Sequence, residues 1–411
     1  MEKDNVNSAK LGFENQLLNE LVISRYNVIA NNENPDEVQD PVVIGKASLV
    51  EAKFLTRFIG AFRFLFQRLK RGRIFEALLK RAYGIYISKC ANLNYRFRPE
   101  IYFQGDVNNY SDIDYLYSKL KNKQSKDLLV KLFAYRILGH TKVKLPRNNE
   151  KYWRGIEGVA KYKSMREDLK IDFLDATLAN YDLQPIGYSL NAYASATGLA
   201  CAFVQKQYEY DQDGVKCKAE KGDIAIDAGG CWGETTLYFA HEVGEEGKVY
   251  SFEFIPNNLA VMKKNISCNP ILAPRIELVE AAMWSYSDKE LYYLDWGPGS
   301  QVFDSPIRKD LNYGECKTLS IDDLVARKQL PKVDFIKMDI EGAELPALKG
   351  AENTIKKYRP KLAISIYHQV SDFITIPKYL DALSLDYSFY LDHHTIYLNE
   401  TVLFAVPNAA D

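Results

Sequence analysis

One stretch constrains the fold most tightly: Ile224-Ala-Ile-Asp227-Ala-Gly229-Gly230-Cys-Trp-Gly233-Glu-Thr-Thr236. An apolar run ends on an acid, a glycine turn follows, and a helical pattern begins at Glu234. About twenty residues later Val249-Tyr-Ser-Phe-Glu253 is a second apolar run closed by an acid. Strand, tight turn and helix in that order form the first half of a nucleotide-type α/β site. The turn lets backbone approach a ligand, and the second acid is placed for two ribose hydroxyls. An enzyme with an adenosine-bearing cofactor is therefore expected.

From residue 216 onward the pattern alternates regularly between strand and helix, which signals a largely parallel sheet. Strands are predicted at 223–227, 248–253, 275–281, 333–339, 361–367, 387–393 and 401–406. Helices are predicted at 234–243, 257–267, 321–328, 343–357 and 372–383. Only Asn399-Glu400 and their neighbours separate the last two strands, so these should form an antiparallel hairpin. Asp295-Trp-Gly-Pro-Gly299 reads as a loop inserted after the third strand. The expected fold is α/β: a Rossmann-like, doubly wound, mostly parallel sheet with a C-terminal hairpin, preceded by a mainly helical region.

The chain has 411 residues, which makes more than one unit the default. Residues 1–105 are expected to be mainly helical. Residues 106–215 read as a helical and irregular link contributing to an acceptor pocket, and 216–411 as the cofactor-binding domain. Helices fit Asp112–Lys121 and Ser125–Leu138. Residues 150–215 are a tyrosine-rich mixture without clear period, suited to stacking on sugar rings. Residues 53–81 hold nine Lys or Arg against one acid, Glu76, interleaved with Phe54, Phe58, Phe62 and Phe66. Such a helix either packs on a core with a solvated basic face or lies against an anionic membrane or glycan.

A net charge of −1 gives no global case for nucleic acid. Six scattered cysteines without a Cys-x-x-Cys pair read as reduced cytosolic thiols. The charged N-terminus reads as no secretory signal, and no uncharged apolar stretch is long enough to span a bilayer. A cytoplasmic location is expected; the oligomeric state is not readable.

The glycine turn by itself fits NAD or S-adenosylmethionine. Asp227 beside the turn and the bulky Trp232, where a pyrophosphate needs open backbone N–H groups, favour the second. Cofactor contacts are expected from Asp227, Gly229, Gly230, Gly233, Glu234, Thr235, Glu253, Ala282 and Asp339. Val333-Asp-Phe-Ile-Lys337-Met-Asp339-Ile-Glu341-Gly342-Ala-Glu344 then delivers three carboxylates to a helix N-terminus. Helix capping accounts for Glu341 or Glu344, but poorly for Asp339 at the end of a buried strand. His368 falls just past the C-terminal end of its strand, where α/β ligands bind. It is either an acceptor's base or a strand-end histidine with structural partners. His393 and His394 close the next strand.

Taken together, Asp227-Ala-Gly-Gly-x-x-Gly-x-Thr-Thr, Phe252-Glu253-Phe-Ile-Pro-Asn, Asn265 and Ile336-Lys-Met-Asp-Ile-Glu-Gly-Ala-Glu-Leu345 resemble the FkbM-type methyltransferase family. Residues 364–368 and 401–405 continue the similarity. It covers about 216–406 and leaves 1–105 unexplained. The turn departs from the family's Gly-Ala-Asn-x-Gly. The resemblance implies a class I methyltransferase fold and O-methyl transfer from S-adenosylmethionine to a hydroxyl, often on a sugar, glycan or glycosylated metabolite. The expected catalytic residues are His368 as base, with Asp339 and Glu341. The competing mechanism is a divalent metal held by Asp339, Glu341 and Glu344. Two other functions stay open: an NAD-linked oxidoreductase, and a catalytically silent module that binds a glycan or membrane surface.

Overall fold

The computed structural model describes residues 13–25, 110–140, 142–171, 176–306 and 313–408. The expected basic helix within 48–88 lies outside the described residues. Seven strands form the main sheet: β1 (Ile224–Ala228), β2 (Lys248–Phe252), β3 (Ile276–Val279), β4 (Phe335–Met338), β5 (Lys361–Ser365), β6 (Tyr387–His393) and β7 (Thr401–Pro407). Their order across the sheet is β6-β7-β5-β4-β1-β2-β3. β3, β2, β1, β4 and β5 run parallel, and β7 pairs antiparallel with both β5 and β6. This is the class I methyltransferase topology, with the chain reversing its winding between β1 and β4. That reversal opens a crevice beyond the carboxyl ends of those two strands.

The central strands are apolar on both faces because helices cover both. β4 (Phe335-Ile-Lys-Met338) is buried throughout, Lys337 included. The connecting helices are α1 (Glu234–Glu242), α2 (Pro256–Ser267), α3 (Ile321–Lys328), α4 (Glu344–Lys349), α5 (Glu352–Tyr358) and α6 (Asp372–Ala382). Ser320 caps α3, its side chain accepting from the Asp323 N–H, as a short hydroxyl at that position should. The helix expected over 343–357 is broken into α4 and α5 at Gly350. A Cβ at Gly350 would lie 2.1 Å from the Trp284 carbonyl oxygen. The chain there presses backbone on backbone, and a continuous helix does not fit. Leu348, Ala351 and Ile355 still reach the core, as their spacing predicts.

The insertion after β3 is more than a loop. Ala282–Met283, Glu290–Leu294, Gln301–Phe303 and Gly314–Leu319 build a separate four-stranded sheet, and Gly297–Gly299 is one turn of 3-10 helix. Upstream, Tyr110–Lys119 and Lys123–Leu138 are helical. Ile113, Leu116, Leu129 and Phe133 join the same apolar core as β4 and β5. Within 150–215, Tyr152, Tyr181, Tyr188 and Tyr193 are buried. They are core residues and not an exposed stacking surface. Cys201, Cys217, Cys231, Cys268 and Cys316 are free thiols. Among the described residues no helix is long and apolar enough to cross a membrane.

Candidate active site

The crevice follows the carboxyl rim of the sheet from the end of β2 to the start of β7. Gly229, Glu253, Asn258, Ala282, Asp339, Glu341, Tyr367 and Glu400 are among the residues lining it. Phe254, Pro298 and Val302 also line it, the last two from the insertion after β3. Four lining residues are acidic, and none is Lys, Arg or His.

A buried ion pair holds the glycine turn from below. Lys337 and Asp227 are direct neighbours in the β4–β1 register. Lys337 Nζ lies 3.0 Å from Asp227 Oδ1, with both side chains almost wholly buried. It also donates to the carbonyls of Ala228 (2.9 Å) and Gly229 (2.6 Å). Asp227 Oδ2 accepts from the hydroxyls of Thr235 (2.9 Å) and Thr236 (2.8 Å). The lysine therefore fixes the strand end, the turn and the start of α1 together. Gly229 has φ of 82°, and a Cβ there would sit 2.0 Å from the Asp339 carbonyl oxygen. Its N–H and that of Gly230 both donate to the Phe252 carbonyl, at 3.2 and 2.9 Å. Those two amides are spent inside the protein and do not form an anion cradle.

At the β2 end, Glu253 Oε1 accepts the N–H groups of Phe254 (2.7 Å) and Ile255 (2.8 Å). Its other oxygen meets Asn258 Nδ2 at 3.3 Å. Burial pushes the Glu253 carboxyl up to about 7 despite these donors. Asn258 Oδ1 is buried without a partner on the same wall. A carboxyl with remaining acceptor capacity beside an orphaned carbonyl suits a ligand edge that offers hydroxyls.

Residues 216–393 match the methyltransferase FkbM domain. This segment belongs to that family. No curated protein matches the chain. A solved methyltransferase FkbM from Methylobacillus flagellatus is 19% identical, with a TM-score of 0.45, over 72% of this chain and 58% of that one. The chain thus spans less than two thirds of that protein's length. Fibrillarin from Aeropyrum pernix, solved with S-adenosyl-L-methionine, is 11% identical, with a TM-score of 0.34, over 59% of this chain and 100% of that one. An O-methyltransferase from Bacillus cereus, solved with SAH, is 14% identical, with a TM-score of 0.32, over 52% of this chain and 82% of that one.

Within the FkbM domain the expected cofactor residues separate into two groups. Gly229, Glu253, Ala282 and Asp339 line the crevice, whereas Asp227, Gly230, Gly233, Glu234 and Thr235 are not among its lining residues. Asp227 is fully buried and Thr235 is committed to it, so both shape the turn from within. A Cβ on Gly230 would meet Ser251 Oγ at 2.3 Å, so packing alone demands that glycine. Asn265, part of the sequence resemblance, is structural too. It donates to the carbonyls of Tyr193 (2.9 Å) and Trp232 (2.8 Å).

Asp339, Glu341, Glu344 and His368 come together at the β4–β5 end. Asp339 accepts hydroxyls from Tyr208 (2.7 Å) and Tyr367 (3.0 Å). His368 Nδ1 lies 3.0 Å from Glu344, and Nε2 lies 3.5 Å from both Asp339 and Glu341. The ring nitrogens lack aligned hydrogen bonds, so the attraction is mainly one of charge. Burial opposes charge on the ring, but Glu341, Glu344 and Asp339 outweigh it and raise the His368 pKa to about 11. Burial would likewise raise Asp339; the His368 and Lys337 charges overcome it and hold the carboxyl below its ordinary range. An imidazolium accepts no proton. The expected base role needs a neutral ring, and these surroundings favour the charged one. Asp339, Glu344 and His368 each bring one donor atom within 4.8 Å of the others, close enough for a cation. His368 already supplies the compensating positive charge there. His393 and His394 are buried and stay neutral, burial lowering their pKa values to about 3 and about 4. Neither lines the crevice.

This cluster has a pH signature. A histidine whose folded pKa exceeds its unfolded value, about 6.5, stabilises fully below that value. The contribution fades as pH rises toward 11. Chemical denaturation of wild type and His368→Gln should therefore show the widest stability gap below pH 6.5, narrowing steadily in alkali. A gap that does not change with pH would exclude a charged His368.

Sequence reading missed Lys337, Tyr208, Gln207 and Glu400. Lys337 carried a signal: a lysine inside an apolar strand has to find an acid, and Asp227 closes the neighbouring strand. Tyr208 and Glu400 carried none, since their partners are remote in sequence.

Proposed function

We propose that this chain is an S-adenosylmethionine-dependent O-methyltransferase acting on a hydroxyl of a sugar, a glycan or a glycosylated metabolite. The observation that carries this reading is the acidic crevice without a basic side chain. A sulfonium and an ammonium are welcome there. A pyrophosphate is repelled, and it finds the Gly229 and Gly230 amides already engaged. That weighs against an NAD-linked enzyme. Glu253 and the unpartnered Asn258 Oδ1 would take the ribose hydroxyls, with Phe254 and Pro298 flanking the base. Asp339 and Glu341 would face the cationic end. When bound, the cofactor supplies an activated methyl group and a neutral thioether leaving group.

The protein's own task is to align the acceptor oxygen and to keep charge in balance. Asp339 is held ionised by the His368 and Lys337 charges, and the carboxyl oxygens of Asp339 and Glu341 can accept hydrogen bonds from acceptor hydroxyls. A hydroxyl acceptor suits this carboxylate-rich end; the sugar class follows the family resemblance. The domain division belongs to the same proposal, with 216–411 binding the cofactor and 106–215 contributing to the acceptor side through Gln207 and Tyr208. No metal step is included, because His368 occupies the place a cation would neutralise. The test is incubation with methyl-labelled S-adenosylmethionine and a cell glycan extract, with and without EDTA. The expected result is a labelled, alkali-stable ether that forms equally in EDTA. Label found only on protein or nucleic acid would refute the acceptor class, and loss of transfer in EDTA would restore the metal.

A further inference from the structure

The acidic crevice extends past Asp339 to a side chain that no motif indicated. Glu400 sits in the turn entering β7, at the same rim as the ends of β4 and β5, because β7 runs antiparallel to β5. Its backbone is left-handed, with φ of 65°, a costly conformation for a residue with a Cβ. Such cost tends to persist where a side chain must be aimed. Gln207, itself buried, donates through Nε2 both to Glu400 Oε2 and, at 3.0 Å, to the Tyr208 hydroxyl oxygen. Tyr208 in turn donates to Asp339. Asn399 Nδ2 reaches the other Glu400 oxygen at 3.2 Å. One buried polar chain thus links Glu400 to Asp339 and fixes both at the end of the crevice opposite Glu253.

We propose that Glu400 is the general base that takes the acceptor's hydroxyl proton. This rests on the methyltransferase reading above. The two carboxylates at that end differ in kind. Asp339 is committed to two tyrosine hydroxyls and to the His368 charge, all of which make it a weak proton acceptor. Glu400 has only two amide donors. Burial, then the Asp339 charge, push its carboxyl up to about 7, against the opposing pull of Gln207 and His368. Asp339, His368, Tyr367, Tyr208, Cys201 and Tyr152 are the titratable groups that sense or bias it. A base is most effective with its pKa near the working pH. In the step itself, the acceptor oxygen bonds to the methyl carbon as the carbon–sulfur bond breaks. The electron pair of that bond stays on sulfur, and the hydroxyl proton moves to a Glu400 oxygen. The methylated acceptor, a neutral thioether and protonated Glu400 result.

The test compares wild type with Glu400→Gln and with Glu400→Asp, which keeps a shortened carboxyl. Infrared difference spectra between pH 5.5 and 8.5 (a range of about 1.5 units on either side of neutrality) read carboxyl protonation without an acceptor. Wild type should show several buried carboxyls titrating near 7, Glu253 among them, and the wild-type-minus-Glu400→Gln double difference should isolate one of them as Glu400. In the labelled-transfer assay Glu400→Gln should lose about 100-fold or more in kcat, with S-adenosylmethionine affinity kept and the acid limb of the pH profile abolished. Glu400→Asp should recover part of the rate. An unchanged carboxyl titration in Glu400→Gln, or turnover within a few-fold of wild type, would overturn the assignment. If wild type binds the cofactor yet methylates no acceptor, the functional reading fails instead, and the infrared titration still decides whether Glu400 is the poised carboxyl.

Discussion

Lys337→Met is expected to lower the unfolding free energy by about 3–5 kcal/mol, the usual consequence of removing one partner from a buried pair. The ammonium lies 3.0 Å from Asp227, and both groups are sealed from water. Removing it leaves the buried Asp227 carboxyl with only hydroxyls for partners and strips the Ala228 and Gly229 carbonyls of their shared donor. Its stacking over Tyr208, at 5.2 Å, is the smaller loss, about 1–2 kcal/mol at most. Charge decides the outcome, which gives a second readout. Asp227→Asn added to Lys337→Met should restore part of the stability, because it removes the orphaned carboxylate. Urea denaturation of the single and double variants measures both effects. A loss below about 1 kcal/mol for the single variant, the range of an exposed pair, would mean that the pair is solvated and that the turn is held by other contacts. Cofactor affinity should fall with stability, since the same lysine positions Gly229 against the crevice.

How much of this was legible in the sequence depends on how local the cause was. The strands of the main sheet were readable because each is an apolar run ended by an acid or a turn. Ile224–Ala228, Lys248–Phe252 and Tyr387–His393 fall within a residue of their predicted bounds. The break at Gly350 was not readable, because it answers to a carbonyl from the inserted sheet, remote in sequence. Residues 150–215 showed no period because their elements are short. Leu169–Lys170, Thr177–Asp182 and Asn191–Ala194 alternate with single helical turns and a five-residue π-helix at Ala200–Val204. Their tyrosines looked like a binding surface and are in fact core, with Tyr181 and Tyr188 in the cluster that includes α1 and Tyr193 packed with Trp232 and Val261. Glu400 read only as part of the short connection between the last two strands. Only the antiparallel return of β7 brings it to the ligand rim.

The acids that close these strands differ in their surroundings, which a linear reading lacks. Asp227 and Asp339 both close apolar strands. One is locked beneath the turn by a lysine, and the other faces the crevice between two tyrosines. His368 was rightly put at the end of its strand. The three carboxylates that surround it determine its protonation, and all three come from the segment running from β4 into α4, not from its own strand.

The second large effect concerns Glu253, and it bears on the central claim that this rim is an S-adenosylmethionine site. Glu253→Gln keeps an oxygen for the Phe254 and Ile255 amides, so the loop should hold its shape. It gives up the charge that ribose hydroxyls would meet. A hydrogen bond to a charged group is worth about 1.5–3 kcal/mol. Losing about 2 kcal/mol weakens binding roughly thirtyfold. Isothermal calorimetry of S-adenosylmethionine against wild type and Glu253→Gln, with NAD as the competitor, is the most direct measurement. The expected result is S-adenosylmethionine binding by wild type, at least about tenfold weaker binding by the variant, and no heat from NAD. Equal affinity in the two proteins, or binding of NAD in place of S-adenosylmethionine by folded wild type, would contradict it.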